Sequence, residues 1–292
     1  MSTIVTGASG HLGRLVAEEL LERLPASEVV LVTRQPEALE DLAARGVAVR
    51  YGDFDEPQSL PDAFAGGERM LLISTLAIGR RVPQHTAAIE AAAAAGVEHV
   101  VYTSFVNPVP GHPVGAIATE HGETEEALRK SPLEWTLLRN ATFAELQVQP
   151  GALAVANGKL YTNAGEGRLG YVSRRDVARV AAAVLAGEGH AGRTYDVTAG
   201  EAISQRELAE LLSEVSGRAV RLVPLGDRVL SWGLSRNGAP RPVAKAVAAF
   251  GRAIREGLYD VDDPAAATIM GCAPTTLRDV LVAYRGLLLT YT

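Results

Sequence analysis

The chain has 292 residues, 47% hydrophobic and 21% charged, enough for one large α/β domain or a nucleotide-binding domain with a smaller companion. Its formal net charge of -6 leaves no overall basic field to gather nucleic-acid phosphates or an anionic membrane surface. Cys272 is the only cysteine, which excludes internal disulfides and cysteine-based metal clusters. No apolar run approaches a membrane span, and the N-terminus enters a strand at once, so a cytoplasmic location is expected.

The first strand, Ser2 to Val5, breaks into Thr6-Gly7-Ala8-Ser9-Gly10-His11-Leu12-Gly13 and then into an amphipathic helical pattern from Leu12 to Leu24. A strand, a glycine-rich turn and a helix in that order form a dinucleotide site. Gly7 permits the tight turn, Gly10 lets backbone amides approach a pyrophosphate, and Gly13 removes a side chain that would hold the helix off the sheet. The spacing is G-x-x-G-x-x-G rather than G-x-G-x-x-G, so the flanking strand and helix carry much of the weight. Gly7, Ser9, Gly10, His11, Leu12 and Gly13 are the candidate phosphate contacts.

The second strand, Val29 to Thr33, ends in Arg34 about twenty residues beyond the turn, with no Asp or Glu to hold ribose hydroxyls. A guanidinium there pairs with a 2′-phosphate, favouring NADPH over NADH; the alternative is a solvated arginine at a strand end. After the third strand, Val47 to Tyr51, Asp53 is placed to meet the adenine amino group and Phe54 its ring, although turn chemistry also accounts for an Asp.

Strands at Met70 to Ser74, Val100 to Thr103 and Trp135 to Leu138 alternate with helices at His85 to Ala95, ended by Gly96, and Ala118 to Arg129, stopped by Ser131-Pro132. Beyond Pro150 the chain turns polar and glycine-rich to Gly170, with a short helix and a strand near Lys159 to Thr162. Boxes at Ser173-Arg174-Arg175-Asp176 and Ser204-Gln205-Arg206-Glu207 open helices Val177 to Ala186 and Leu208 to Ser216, followed by a strand at Val220 to Val223. The pattern predicts an α/β fold, a Rossmann-like doubly wound parallel sheet over 1–150 with a smaller mixed α/β lobe over 151–292. A segment near 171–198 is expected to return to the first domain.

The glycine turn, Arg34 and the Gly52-Asp53 turn make the chain similar to the NmrA-like atypical short-chain dehydrogenase/reductases. Within that group it resembles the bacterial NAD(P)H:quinone oxidoreductases of type 2. The likeness is carried also by Leu71-Leu72-Ile73-Ser74, Ala94-Ala95-Gly96-Val97, Tyr102-Thr103-Ser104, Glu120-His121-Gly122-Glu123-Thr124-Glu125 and Thr136-Leu137-Leu138-Arg139-Asn140. It continues more weakly through Ala164-Gly165-Glu166-Gly167 and Pro274-Thr275-Thr276-Leu277. The resemblance implies that Ile73, Ser74 and Thr75 pass beside the nicotinamide ribose and that Thr103, Ser104 and Phe105 flank the nicotinamide. It leaves Leu76, Ile78, Val106 and Phe143 as apolar walls for a flat ring or as plain core. Dimers are common among such relatives.

Most short-chain dehydrogenases protonate the reduced carbonyl with a Tyr-x-x-x-Lys pair. No tyrosine here has a lysine four residues later; Tyr171 has Arg175 instead. His121 lies where phenylpropanoid reductases of the wider family carry a lysine. With an ordinary pKa of about 6.5 it would serve as acid or neutral donor to a ribose hydroxyl or a substrate oxygen, or be a helix-surface histidine in the polar run from Glu120. A quinone needs less help than a ketone, because hydride turns it into an aromatic hydroquinone anion rather than a strongly basic alkoxide. The histidines form no H-E-x-x-H, and no G-x-S-x-G elbow or P-loop occurs, so a metal site, that class of hydrolase and a P-loop nucleotidase are all disfavoured.

Three functions follow. The first is NADPH-dependent reduction of a quinone or related conjugated carbonyl, with a small-molecule partner and no nucleic acid or membrane. The second is a redox sensor that binds NADP(H) without turnover. The third is a tailoring enzyme for aromatic polyketide quinonoid intermediates.

Overall fold

Alternation along the strands sorts the interior into two layers. The computed structural model describes residues 2–290. Strands β1 (Thr3–Thr6), β2 (Val29–Thr33), β3 (Ala48–Tyr51), β4 (Arg69–Leu72), β5 (His99–Phe105), β6 (Glu134–Asn140), β7 (Thr142–Phe143), β8 (Lys159–Thr162), β9 (Arg168–Val172), β10 (Arg193–Val197), β11 (Ala202–Ser204) and β12 (Arg221–Pro224) form three sheets. The largest has seven strands in the order β10-β6-β5-β4-β1-β2-β3, all parallel. This is a Rossmann-like α/β sheet, and its strand order reverses between β1 and β4.

The helices are α1 (His11–Leu21), α2 (Glu40–Ala43), α3 (Leu60–Phe64), α4 (Arg81–Ala94), α5 (Ala116–Lys130), α6 (Val148–Asn157), α7 (Arg174–Ala186), α8 (Gln205–Ser216), α9 (Asp227–Arg236), α10 (Arg241–Arg255), α11 (Ala265–Met270), α12 (Leu277–Ala283) and α13 (Arg285–Leu288). Val5, Leu31, Leu71 and Val101 meet α1 and α7 on one face of the sheet. Their neighbours Ile4, Val30, Met70 and Val100 meet α3, α4 and α5 on the other. Period-two alternation, buried on both faces, produces the continuous apolar runs of such strands.

Residues 174–197 supply α7, packed against α1, and β10, paired with β6 along Arg193 to Val197. Strands β7, β9 and β11 form a small sheet beside this layer, and β8 pairs with β12. Glycine and Pro150 do not break the chain after 147: Pro150 occupies the first turn of α6, where its missing N–H costs no helical hydrogen bond. The box at Ser204 is complete. That at Ser173 is half made, because Ser173 accepts from the Asp176 amide while the Asp176 carboxylate holds the Thr275 amide at 2.7 Å.

Candidate active site

The glycine turn is built around contacts that a side chain would obstruct. Gly7 has φ +62°, and a Cβ on Gly13 would lie 2.7 Å from the Ala8 Cα. Helix α1 starts from Gly10 with no side-chain cap and no acidic residue in its first turn. The amides of His11, Leu12 and Gly13 therefore have no intrahelical partner and share the positive end of the helix dipole. A pyrophosphate fits this set of donors.

The turn is tied to the end of β2, where the Ser9 and Thr33 hydroxyls lie 2.7 Å apart and Thr33 Oγ1 accepts the Gln35 amide at 3.1 Å. Next to them Arg34 is exposed, and among the described residues none of the ion pairs engages it. Asp53 accepts the Asp55 amide at 2.9 Å, closing its own turn. Phe54 is half-buried, its ring edge-on to His85 at 6.4 Å.

At the strand-order reversal, side chains replace the ladder. Thr6 Oγ1 donates to Leu71 O at 3.0 Å and accepts the Ile73 amide at 3.1 Å. Thr103 Oγ1 accepts the Ser74 amide at 2.8 Å. For this reason β4 ends at Leu72, two residues earlier than its sequence pattern predicts, and the chain splays at the carboxyl end of the sheet. Open α/β sheets place ligands there.

The residues after β4 divide sharply. Thr75 has its amide on His85 Nε2 at 3.1 Å, its hydroxyl on Gln84 at 2.8 Å and its carbonyl on Arg81 at 2.9 Å. Its polar groups are thus held in anchoring the loop. Leu76 and Ile78 are exposed, Leu76 at 95%. Glu120 on α5 pins the same loop by accepting the Gly79 amide at 2.5 Å.

His121 is buried, not a surface residue of a polar helix. Its Nδ1 lies 2.8 Å from the Tyr102 hydroxyl, and its ring stacks on Phe105 with centroids 5.7 Å apart. Burial, and then the charge on Arg81, hold its pKa well below the ordinary value. The imidazole is therefore neutral near pH 7. Burial likewise keeps the Tyr102 phenol protonated. His85 accepts the Thr75 amide at Nε2, which places its proton on Nδ1, 3.0 Å from Thr124 Oγ1. Its pKa is pushed down to about 3 by burial and by Arg81.

Phe105 also meets the edges of His112 at 5.9 Å and Tyr259 at 5.7 Å. His112 Nδ1 accepts the Val114 amide at 3.2 Å, so its proton lies on Nε2, which is buried with no partner among the described residues.

Two further residues of the expected set have defined places. Ser104 Oγ donates to Glu125 at 2.6 Å in the helix layer, where Glu125 also holds Arg139. Val106 is 1% exposed within the core and offers no wall. Phe143 is half-buried, with the Arg174 guanidinium 5.2 Å from its ring centre. Thr6, His85, Tyr102, His112, Thr124 and Tyr259 were not singled out from sequence. For Thr6 the signal was its place as the last strand residue before Gly7; the others meet only through the fold.

The chain matches the family described as NAD(P)H-binding over residues 7–188. It is 36% identical over 276 residues to quinone oxidoreductase 2 of Escherichia coli (strain K12), covering 94% of this chain and 96% of that protein. The crystal structure of the E. coli NADPH-dependent quinone oxidoreductase complexed with NADPH superposes with a TM-score of 0.91 at 34% identity, covering 96% of this chain and 99% of that one. The NADP(H) complex of Citrobacter sp. triphenylmethane reductase gives a TM-score of 0.86 at 35% identity, covering 97% and 99%.

Proposed function

From the premise that this chain belongs to the NmrA-like NAD(P)H-binding reductases, we propose that it reduces a quinone or a related conjugated carbonyl at the expense of NADPH. The observation that carries this reading is the neutral, buried pair that Tyr102, in the middle of β5, makes with His121 of α5, against the Phe105 ring at the carboxyl end of that strand. Relatives similar over nearly the whole chain bear names of quinone oxidoreductases, one of them NADPH-dependent, which supports an enzyme over a silent sensor. The cofactor supplies the hydride when bound.

The remaining work falls to the protein. The amides at the start of α1, with Ser9 alongside, hold the pyrophosphate, and Arg34 receives the 2′-phosphate. Asp53 and Phe54 border the adenine, while Ile73, Ser74, Thr103 and Phe105 orient the nicotinamide end. The Tyr102 phenol donates to His121 Nδ1, which puts the imidazole proton on Nε2 and makes it a hydrogen-bond donor to the oxygen that gains charge. Hydride addition to a quinone gives a hydroquinone monoanion, weakly basic enough that a fixed donor suffices and water completes the protonation. Residues 1–150 with the segment 171–198 form the cofactor half, and the rest of 151–292 the substrate lobe. The same reading takes a small molecule as partner, a homodimer as the assembled form and no nucleic acid.

Stopped-flow loss of NADPH absorbance with a panel of benzoquinones and naphthoquinones tests the proposal. Turnover with NADPH preferred over NADH is expected; inertness toward every acceptor overturns it.

A further inference from the structure

The charge of -6 is not evenly placed: residues 228–255 hold six of the 28 basic side chains and none of the 34 acidic ones. They form the hairpin of α9 and α10. Asp227 holds Arg255 at 3.0 Å and Glu256 holds Arg252 at 3.0 Å. Among the described residues no ion pair reaches Arg228, Arg236, Arg241 or Lys245. Between these cations Val229, Trp232, Val243 and Val247 are exposed, Trp232 at 64% with the Arg236 guanidinium over its ring.

Val243, Val247 and Phe250 share one face of α10 at helical spacing. Phe250 packs on Tyr259 at 4.8 Å, and Tyr259 on Phe105. The stripe therefore runs from solvent to the aromatic cluster of the active site. An exposed apolar stripe with a tryptophan and flanking unpaired cations has the composition of an interfacial helix.

We propose that the α9–α10 hairpin docks the protein reversibly on an anionic lipid surface. Trp232 and the three valines enter the headgroup layer, and Arg228, Arg236, Arg241 and Lys245 lie among the phosphates. The acidic remainder of the chain is repelled by the same surface, which fixes the hairpin as the docking face. A two-fold pairing of hairpins would set cations against cations, and a nucleic-acid backbone offers the valines no partner. The docking does not depend on the proposed reaction. Where both hold, the stripe leads a membrane-dissolved acceptor toward Tyr259 and Phe105.

Flotation of the full chain with phosphatidylcholine vesicles, with and without phosphatidylglycerol, tests this in the absence of cofactor and quinone. The protein is expected to float only with the anionic vesicles and to be released by salt. The pair Arg241→Gln and Lys245→Gln should lower partitioning at least about tenfold, and Trp232→Ser about tenfold. Circular dichroism and turnover of a water-soluble quinone should stay as in the parent. Four results each overturn the proposal: no flotation, equal flotation on neutral vesicles, binding insensitive to both substitutions and salt, or a lipid-free dimer abolished by the same substitutions. Tight binding of duplex DNA that displaces the vesicles would likewise reassign the surface.

Discussion

The Tyr102 hydroxyl lies 2.8 Å from His121 Nδ1, joining the middle of β5 to the second turn of α5 beneath the stacked Phe105 ring. Both groups are neutral, the phenol because burial raises its pKa and the imidazole because burial and Arg81 lower its own. In the proposed reaction the pair acts as an oriented dipole rather than as an acid.

Tyr102→Phe keeps the ring and its packing but releases the imidazole tautomer. One hydrogen bond contributes about 1 kcal/mol, so kcat with a quinone should fall roughly fivefold while the KM for NADPH stays unchanged. A change confined to NADPH binding would show that Tyr102 supports the cofactor instead. His121→Leu should lower kcat further, by about a hundredfold, as expected for loss of an oxyanion donor.

The pH dependence separates a hydrogen-bond donor from a proton donor. An acid with an ordinary histidine pKa would make kcat/KM fall as pH rises through about 6.5. With His121 held well below that value, the profile of the parent should show no histidine break between about pH 6 and 8. A break in that range that disappears in His121→Leu would restore His121 as an acid.

The sequence makes some of this site visible because some of its demands are local. Gly7, Gly10 and Gly13 answer to the backbone of one turn, and Arg34 to the end of one strand. His121 stood out too, but the polar run around it looked like a solvated face. In the fold Glu120, Thr124 and Glu125 are buried because Arg81, His85 and Arg139 meet them, and those partners are remote in sequence. The Thr6 hydroxyl bonds residues more than sixty positions away, and Tyr259 reaches Phe105 from far along the chain. Strand β10, with its polar Arg193-Thr194-Tyr195-Asp196, has none of the apolar run of the inner strands because it lies at a sheet edge. The α9–α10 hairpin was missed as a charge feature, since a net charge says nothing of where charges lie.

Arg34 offers a test of cofactor choice. A charge-assisted bond to a 2′-phosphate contributes about 1.5–3 kcal/mol, so Arg34→Ala should weaken NADPH binding by roughly ten- to a hundredfold. NADH binding should change little, because the 2′-phosphate is the only group it lacks. Fluorescence titration with both cofactors measures the ratio; parallel losses would place Arg34 outside the phosphate site.

Gly13→Ala probes the close approach of α1 to the glycine turn. The added methyl would lie 2.7 Å from the Ala8 Cα, against backbone that cannot swing aside. Overpacking of this kind costs about 1–3 kcal/mol, and NADPH affinity should fall as the first-turn amides move. Unchanged affinity with a lowered Tm would mean that the turn adjusts without disturbing its donors.

Acid stability follows from histidines buried as neutral rings. His85 has its pKa pushed down to about 3, and that of His121 is lowered as well, whereas both titrate near 6.5 once unfolded. Between about pH 6.5 and 3 the unfolded chain binds more protons than the folded one. The folded state is therefore favoured in full above about pH 6.5 and loses stability as pH falls through that window. Each such ring steepens the loss by up to about 1.4 kcal/mol per pH unit. Urea melts of His85→Gln between about pH 7 and 5 should show a slope shallower by close to one proton, whatever the absolute cost of losing the bonds to Thr75 and Thr124. Parallel slopes for parent and variant would mean that His85 takes up its proton in the folded protein.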